Sequence, residues 1–234
     1  MPVALVTGAS RGLGLALAQA LDRRGWDLVV DARNPADLDA AVATLTGPGR
    51  VTAIAGDVAD PEHRRSLAGA IADLGRLDAL VNNASLLGPS PQPPLARYPL
   101  DVLEDVYRVN VFAPLALTQL VLPWLDAAGG RILNITSDAA VEPYEGWGGY
   151  GSSKAALEQL GRIWAAELAG TGVRLFTVDP GEMNTRMHAE ATPEADPADS
   201  AALADPAAVA ARIVALIDIA DEARAPAGAR VRVS

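Results

Sequence analysis

Tyr150 and Lys154 stand four residues apart in a stretch of helical period, so their side chains share one helix face and the ammonium can approach the phenol. A phenol beside a cation suits one kind of work: giving a proton to an oxygen that gains negative charge, or taking it back. Reduction of a carbonyl needs such a donor, and oxidation of an alcohol needs the same group as a base. A free phenol has a pKa near ~10, and a neighbouring cation favours the phenolate. Lowering that value to neutrality corresponds to ~4 kcal/mol of differential stabilisation, within reach of a desolvated site. A Tyr-x-x-x-Lys pair alone is an ordinary pair of helix neighbours, so its meaning depends on its surroundings.

A second cluster, Thr7-Gly8-Ala9-Ser10-Arg11-Gly12-Leu13-Gly14, follows a short apolar run and opens an apolar helical stretch. Gly8 permits a sharp turn, Gly12 removes a side chain where a pyrophosphate would approach, and Gly14 lets the helix pack on the strand. The helix N-terminus then offers free N–H groups and the positive end of its dipole to phosphate. A glycine cluster alone is as readily an ordinary turn; the strand–turn–helix context gives it weight.

Both clusters need a frame. Seven short apolar runs, at 3–6, 27–30, 51–55, 78–81, 131–136, 173–178 and 230–233, alternate with helical stretches at 12–24, 35–45, 61–74, 100–127, 150–169 and 206–219. Most runs are continuous in Val, Ile, Leu and Ala, as strands covered on both faces should be. The pattern predicts one α/β domain over 1–234: a Rossmann-like, doubly wound, seven-stranded parallel sheet with helices on both faces. Pro35, Pro61 and Pro206 follow the cap residues Asn34, Asp60 and Asp205. Two proline-rich segments, near 86–99 and 180–205, lack either period and are expected to cover the ligand crevice.

The spacing of Gly8, Gly12 and Gly14 resembles that of the short-chain dehydrogenase/reductase family. Asp57-Val58 after the third strand, and Asn82-Asn83-Ala84 after the fourth, match further family positions, although Ser85 replaces the usual glycine of the latter motif. Ser137 lies thirteen residues before Tyr150, and Asn110 twenty-seven before Ser137, which are the intervals of the family's Asn–Ser–Tyr–Lys tetrad. The resemblance implies that Tyr150 is the acid/base and that Ser137 orients and polarises the substrate oxygen. Lys154 then holds the nicotinamide ribose and tunes Tyr150, while Asn110 anchors a water relay. Pro114 has no N–H to give the carbonyl of residue 110, which leaves that carbonyl open to another donor. Asp179-Pro180-Gly181 with Thr185 resembles the family segment that passes over nicotinamide. The implied cofactor contacts are Gly8, Ser10, Arg11, Gly12, Leu13, Gly14, Arg33, Asp57, Val58, Asn83, Ala84, Tyr150, Lys154, Pro180, Gly181 and Thr185.

Charge argues the choice of cofactor. Where NAD-using members place a carboxylate at the end of strand two, this chain has Ala32 followed by Arg33. A carboxylate there would repel a 2′-phosphate, whereas Arg33 and Arg11 would bind it, which favours NADP(H). Asp31 should point to the other face of the sheet. By resemblance the substrate pocket takes Asp138, Tyr144, Trp147, Met183 and Met187, with Glu142, Glu145 and His188 nearby. That lining suggests a modest apolar pocket with a bias against anions, though the aromatics and methionines would serve equally as packing.

The formal charge of -10 disfavours nucleic-acid and anionic-membrane partners. The absence of cysteine excludes disulfides and thiolate sites, and two histidines supply no recognisable metal set. The N-terminus has no basic n-region, so no signal peptide and a cytoplasmic location are expected. The longest apolar stretch, 111–125, is interrupted by prolines and reads as a buried helix. By resemblance the helices at 100–127 and from 150 pair across a two-fold, giving a homodimer or homotetramer; with no residues beyond the last strand, the dimer is favoured. The competing readings are an NAD-dependent alcohol or polyol dehydrogenase and a non-catalytic dinucleotide-sensing regulator. The latter kind loses the tyrosine or lysine, and this chain keeps both.

Overall fold

Along β1 (Val3–Val6), Val3 and Leu5 point to one face of a sheet and Ala4 and Val6 to the other, and all four are buried. A strand covered on both faces has no position for a polar side chain, which is why its sequence reads as one apolar run. The computed structural model describes residues 1–192, 203–218 and 228–233. The same two-sided burial recurs in β2 (Asp27–Ala32), β4 (Ala79–Asn82), β5 (Arg131–Ile135) and β6 (Arg174–Asp179), with β3 (Val51–Ala55) and β7 (Arg230–Arg232) as partly exposed edges. All seven strands form one parallel sheet in the order β3-β2-β1-β4-β5-β6-β7.

On one face, Ala4, Val6, Leu28, Val30, Val81 and Phe176 pack against α1 (Gly12–Asp22) and α8 (Pro206–Ile217). On the other, Leu5, Val29, Leu80, Ile132 and Leu175 pack against α3 (Pro61–Leu74), α5 (Ala113–Ala128) and the C-terminal part of α6 (Gly148–Glu167). The proline-led helix starts behave as their sequences require. Asn34 accepts from the Asp37 N–H at the head of α2 (Pro35–Val42), Asp60 from Glu62 at α3, and Asp205 from Ala207 at α8. By length and composition Leu100–Ala128 would suffice to cross a membrane, yet Leu117, Val121 and Leu125 of α5 turn into the core against α3.

Some boundaries differ from expectation. The helix expected over 100–127 is three pieces: α4 (Leu100–Tyr107), a π-helical turn at Arg108–Phe112, and α5. Pro114 supplies no N–H in this stretch, and the ladder widens just before it, with the Ala113 N–H reaching back to the Arg108 carbonyl. The helix expected from 150 begins two residues earlier, at Gly148. The segment 180–205, read as aperiodic, contains α7 (Arg186–Ala191), capped by the Thr185 side chain, which accepts from the His188 N–H at 3.2 Å. Six residues are too few to show a helical period. Residues 193–202 of that segment, and residue 219 of the helix expected over 206–219, lie outside the described residues. The segment 86–99 holds one 3₁₀ turn, Leu95–Arg97.

A buried polar knot ties together the ends of three strands. Glu158 and Asp179 are each 1% exposed, and Arg230 of β7 bridges them, donating to Glu158 Oε1 at 3.0 Å and Asp179 Oδ2 at 2.9 Å. Arg230 also donates to the Ser137 carbonyl, Thr136 donates to Glu158, and the Gly181 N–H donates to the other Asp179 oxygen. Removing the guanidinium leaves the two buried carboxylates only longer arginine contacts, Arg162 to Glu158 at 3.6 Å and Arg232 to Asp179 at 3.9 Å. Arg230→Ala should therefore lower the unfolding free energy by about 3–5 kcal/mol in urea titrations, and Arg230→Lys by less. A loss under about 1 kcal/mol would show the pair to be solvated and replaceable.

Candidate active site

The in-register strands end together, so the turns after β1, β2, β4, β5 and β6 emerge on one edge. Val6 pairs with Val30 and Val81, Asn82 with Asn134, and Ile135 with Val178. The strand order reverses between β1 and β4, the place where doubly wound sheets open a crevice. Asn83 lashes this point together: its Nδ2 donates to the carbonyls of Thr7 and Gly8, while the Thr7 hydroxyl accepts from the Asn83 and Ala84 N–H groups. Gly8 has φ +68, and a Cβ there would come within 2.9 Å of Ala84 Cα. A Cβ on Gly14 would lie 2.2 Å from the Gly8 carbonyl oxygen, so only glycine lets α1 start this close to its own loop.

The crevice at this edge is continuous and has a volume of about 1050 Å³. Its walls include Gly8, Ser10, Arg11, Gly12, Leu13, Gly14, Arg33, Asp57, Val58, Asn83 and Ala84 at one end. Tyr150, Lys154, Pro180, Met183 and Met187 line the rest, while Thr185 stands beside Gly12, where an added Cβ would lie 3.5 Å from Thr185 Cγ2. Arg11, at the N-cap of α1, makes no side-chain cap, so the first N–H groups of the helix face the crevice without a protein acceptor from that side chain. Arg11 and Arg33 are both exposed, and neither makes an ion pair within the described residues. Asp31 also touches this wall, yet its carboxylate is spoken for. It is 1% exposed, accepts from the Gly8 N–H at 2.7 Å and meets His63 Nε2 at 2.9 Å. Asp57 accepts from the Ala59 N–H, which closes the turn after β3.

At the far end α6 delivers Tyr150 and Lys154 from one face, 7% and 2% exposed. Lys154 Nζ stands 5.5 Å from the centre of the Tyr150 ring and donates to the Ile135 carbonyl at 2.9 Å. Burial lowers the Lys154 pKa to about 8. Burial also pushes the Tyr150 phenol up to about 12; hydrogen bonds from Ser85 and Ser137 pull it back, and the charges of Asp138 and Asp179 push the same way as burial. The shift in the chain alone runs opposite to the lowering expected from Lys154 together with an oxidised nicotinamide. Desolvation of the phenolate is the largest cause of that rise, and it holds Tyr150 as a neutral phenol at neutral pH.

Asn110 sits in the π-helical turn, 1% exposed, and its amide is fully used. Oδ1 accepts from Leu86 N–H at 2.8 Å and from the Ser85 hydroxyl at 3.2 Å; Nδ2 donates to the Leu86 carbonyl and to Ser153 Oγ. It clamps the turn after β4 behind the crevice wall instead of lining it. Ser137 caps a 3₁₀ turn, Asp138–Ala140, and its hydroxyl donates to Asp138 at 2.9 Å. Asp138 also accepts from Tyr144, and the rings of Tyr144, Trp147 and Tyr150 stand edge-to-face in series at 6.0 and 5.9 Å. Met183 and Met187 reach the crevice wall, whereas Ser137, Gly181, Asp138, Tyr144 and Trp147 stand outside its lining. Glu142 and Glu145 are exposed, and His188 is half-buried.

A profile described as short chain dehydrogenase matches residues 2–196. The rhamnolipids biosynthesis 3-oxoacyl-[acyl-carrier-protein] reductase of Pseudomonas aeruginosa is 37% identical over 210 residues, 86% of this chain and 81% of that protein. The chain belongs to the short-chain dehydrogenase/reductase family. Its fold superposes on the Pseudomonas aeruginosa RhlG/NADP active-site complex with a TM-score of 0.85 at 32% identity, covering 100% of this chain and 94% of the other. It superposes equally on an alcohol dehydrogenase from the archaeon Thermococcus sibiricus complexed with 5-hydroxy-NADP, TM-score 0.85 at 26% identity, covering 99% and 95%. As a member of this family the chain is an oxidoreductase of CH–OH and C=O groups, a class that typically works with a nicotinamide dinucleotide.

The residues present suit that group. A helix N-terminus without a cap, a loop in which a Cβ at Gly14 would collide with backbone, and two free arginines lie along one crevice that ends at Tyr150 and Lys154. Three contributors escaped the sequence reading: His63, which meets Asp31 from 32 residues away; Arg230, which meets Glu158 from 72; and Ser85, beside the phenol. Only Ser85 left a trace in the sequence, as a departure from the family's glycine.

The buried ammonium has a measurable signature. Native Lys154 gives up its proton near 8 and the unfolded side chain near 10.5. Between those values the unfolded chain binds the extra proton, so this group adds stability as pH rises through the window, by up to about 3 kcal/mol. Tyr150 opposes it only above 10, where the unfolded phenol ionises first. From pH 8 to 10, urea unfolding should show wild type gaining stability relative to Lys154→Met. A difference that stays level across that range would mean the ammonium is solvated.

Proposed function

We propose that this chain is an NADP(H)-preferring reductase that converts an aldehyde or ketone to an alcohol, and runs the reverse reaction when driven. The observation that carries the reading is a single crevice that joins two unpaired arginines and an uncapped helix N-terminus to a buried, protonated tyrosine. Arg33, and Arg11 beside it, bind a 2′-phosphate through paired donors; Ala32 leaves no carboxylate there, and the Asp31 carboxylate is held by Gly8 and His63. The NADP held in the RhlG complex of Pseudomonas aeruginosa supports this preference. When bound, the reduced nicotinamide supplies hydride to the carbonyl carbon.

Tyr150 gives its proton to the carbonyl oxygen as negative charge gathers there, and its burial keeps that proton in place until then. Ser137 turns its hydroxyl from Asp138 to the substrate oxygen and orients it. Lys154 holds the ribose beside nicotinamide and presents a positive charge to the tyrosine ring. Asn110 holds the turn after β4 and anchors the relay that returns a proton from solvent. Met183 and Met187, on the crevice wall, border the carbonyl substrate; Asp138, Tyr144 and Trp147, outside that wall, adjoin it through the Asp138–Ser137 hydrogen bond and the packing of Trp147 on Tyr150, and the acids there disfavour anions. Exposed Phe112, Leu120 and Ile163 on the outer faces of the helical stretch 108–128 and of α6 support self-association of the chain as a homodimer or homotetramer.

NADPH oxidation measured against a panel of aldehydes, ketones, quinones and keto esters tests the assignment, and equal or faster turnover with NADH would defeat the two-arginine argument. Tyr150→Phe should lower kcat by about 10³-fold or more while leaving NADPH affinity within about twofold. Ala32→Asp combined with Arg33→Ser should shift the NADPH-to-NADH ratio of kcat/KM by about 100-fold toward NADH. Unchanged preference in that double variant would remove the 2′-phosphate from this end of the crevice.

A further inference from the structure

His63 lies on α3, 7% exposed, and does not line the crevice wall, yet it is bonded to a residue that does. Its Nε2 meets Asp31 Oδ2 at 2.9 Å, and Asp31 Oδ1 accepts from the Gly8 N–H at 2.7 Å. The ring has a fitted seat: a Cβ on Gly56 would lie 2.2 Å from His63 Nδ1, so the turn after β3 closes directly over it. We propose that His63 is a positioning residue for dinucleotide binding: acting through Asp31, it sets the turn at Gly8 and keeps a carboxylate facing away from the crevice.

Asp31 grips the glycine loop twice. Its side chain takes the Gly8 N–H and its backbone carbonyl takes the Ala9 N–H at 2.8 Å, while Asn83 holds the Gly8 carbonyl from the β4 side. Those two N–H groups are spent. Phosphate is left to the N–H groups at the start of α1, whose placement follows from the turn before them. An ionised carboxylate is acceptor-only, so His63 must present its Nε2 proton to Oδ2. That bond fixes the side-chain angle at which Oδ1 meets Gly8. Burial pushes the Asp31 carboxyl up, and the bonds from His63 and Gly8 draw it back toward the ionised form. Without the imidazole, Oδ2 is a buried anionic oxygen with no donor, an arrangement too costly to persist. The open side available to it is the crevice, which Asp31 already borders. Turning there, the carboxylate releases Gly8 and sets a negative charge against the bound phosphates. The pyrophosphate is common to both nicotinamide dinucleotides, so NADPH and NADH should lose affinity alike.

This inference rests on the reading of the crevice as a dinucleotide site, and calorimetric titration with ADP-ribose, NADH and NADPH separates the two claims. ADP-ribose carries the pyrophosphate but neither nicotinamide nor 2′-phosphate, so binding is read without turnover. Folded wild type that binds none of these ligands would sink the crevice reading, and this inference with it. Where wild type binds, His63→Leu should raise Kd about tenfold for every one of them. His63→Gln, which puts an amide N–H where Nε2 stood, should stay within about twofold of wild type. Asp31→Asn in the His63→Leu background removes the freed charge and keeps an acceptor for Gly8, so it should recover most of the loss. A ring that only fills space would show no such recovery. If His63→Leu does not fold, His63→Ala with and without Asp31→Asn takes its place, with the same loss and recovery expected. Unmoved affinities in the folded His63 variant, a loss that Asp31→Asn does not repair, or a loss confined to NADPH would each overturn the proposal.

Discussion

An ammonium and a phenol lie side by side where almost no water reaches, and neither is comfortable when charged. The rest of the molecule follows from that constraint. Lys154 survives as a cation because the Ile135 carbonyl accepts one of its protons, so β5 must end where it does relative to α6. Tight approach is required as well: a Cβ on Gly151 would stand 2.6 Å from the Ala139 carbonyl, so the first turn of α6 presses against the 3₁₀ turn that follows Ser137. Desolvation then makes both groups lean toward neutrality, the lysine at about 8 and the tyrosine at about 12. Each therefore holds its proton state first through burial, and Tyr150 also through the hydroxyls and carboxylates around it.

Those atoms are held by buried polar ties, not by the apolar core. The core makes the sheet, but the strand ends are registered by Asn82 against Asn134, by Asn83 against Thr7 and Gly8, and by Arg230 against Glu158 and Asp179. Such contacts stabilise little in net terms, yet they leave few alternative geometries, since each buried donor or acceptor left unpaired costs about 1–3 kcal/mol. The same economy governs charge. In a chain of net charge -10, Arg11 and Arg33 line one end of the crevice, while Glu142 and Glu145 stand exposed in the segment between Ser137 and α6. Two acids near the glycine loop, Asp31 and Asp57, are turned inward to backbone N–H groups.

Much of this was legible in the residue order because the signals were local. The face alternation of β1 and β4, the proline-led caps at Asn34, Asp60 and Asp205, and the spacing of Tyr150 and Lys154 each depend on neighbours within a few residues. What escaped was set by distance or by competition. His63 meets Asp31, and Arg230 meets Glu158, only after the chain has crossed the sheet. The break at Arg108–Phe112 arises where Pro114 denies an N–H to the helix, which told where the ladder must fail but not that it would widen into a π turn. The upward Tyr150 shift in the chain alone was not legible for a related reason: sequence shows the neighbouring cation but not the depth of burial.

That upward shift bears on direction of turnover. An enzyme cannot move the equilibrium between carbonyl and alcohol, but it can decide at which pH each direction meets its full rate. In the proposed reaction, a tyrosine held protonated by desolvation can give its proton in the reductive direction with no prior step. On the same reading, oxidation must first expel that proton, and the groups that lower the phenol toward its ordinary value are the hydroxyls of Ser85 and Ser137. The Lys154 ammonium gives up its proton as pH rises past about 8. The two hydroxyls do not titrate in this range and keep their effect throughout. On the proposed reading, burial favours the protonated state that reduction needs, and the reverse reaction has to work against it.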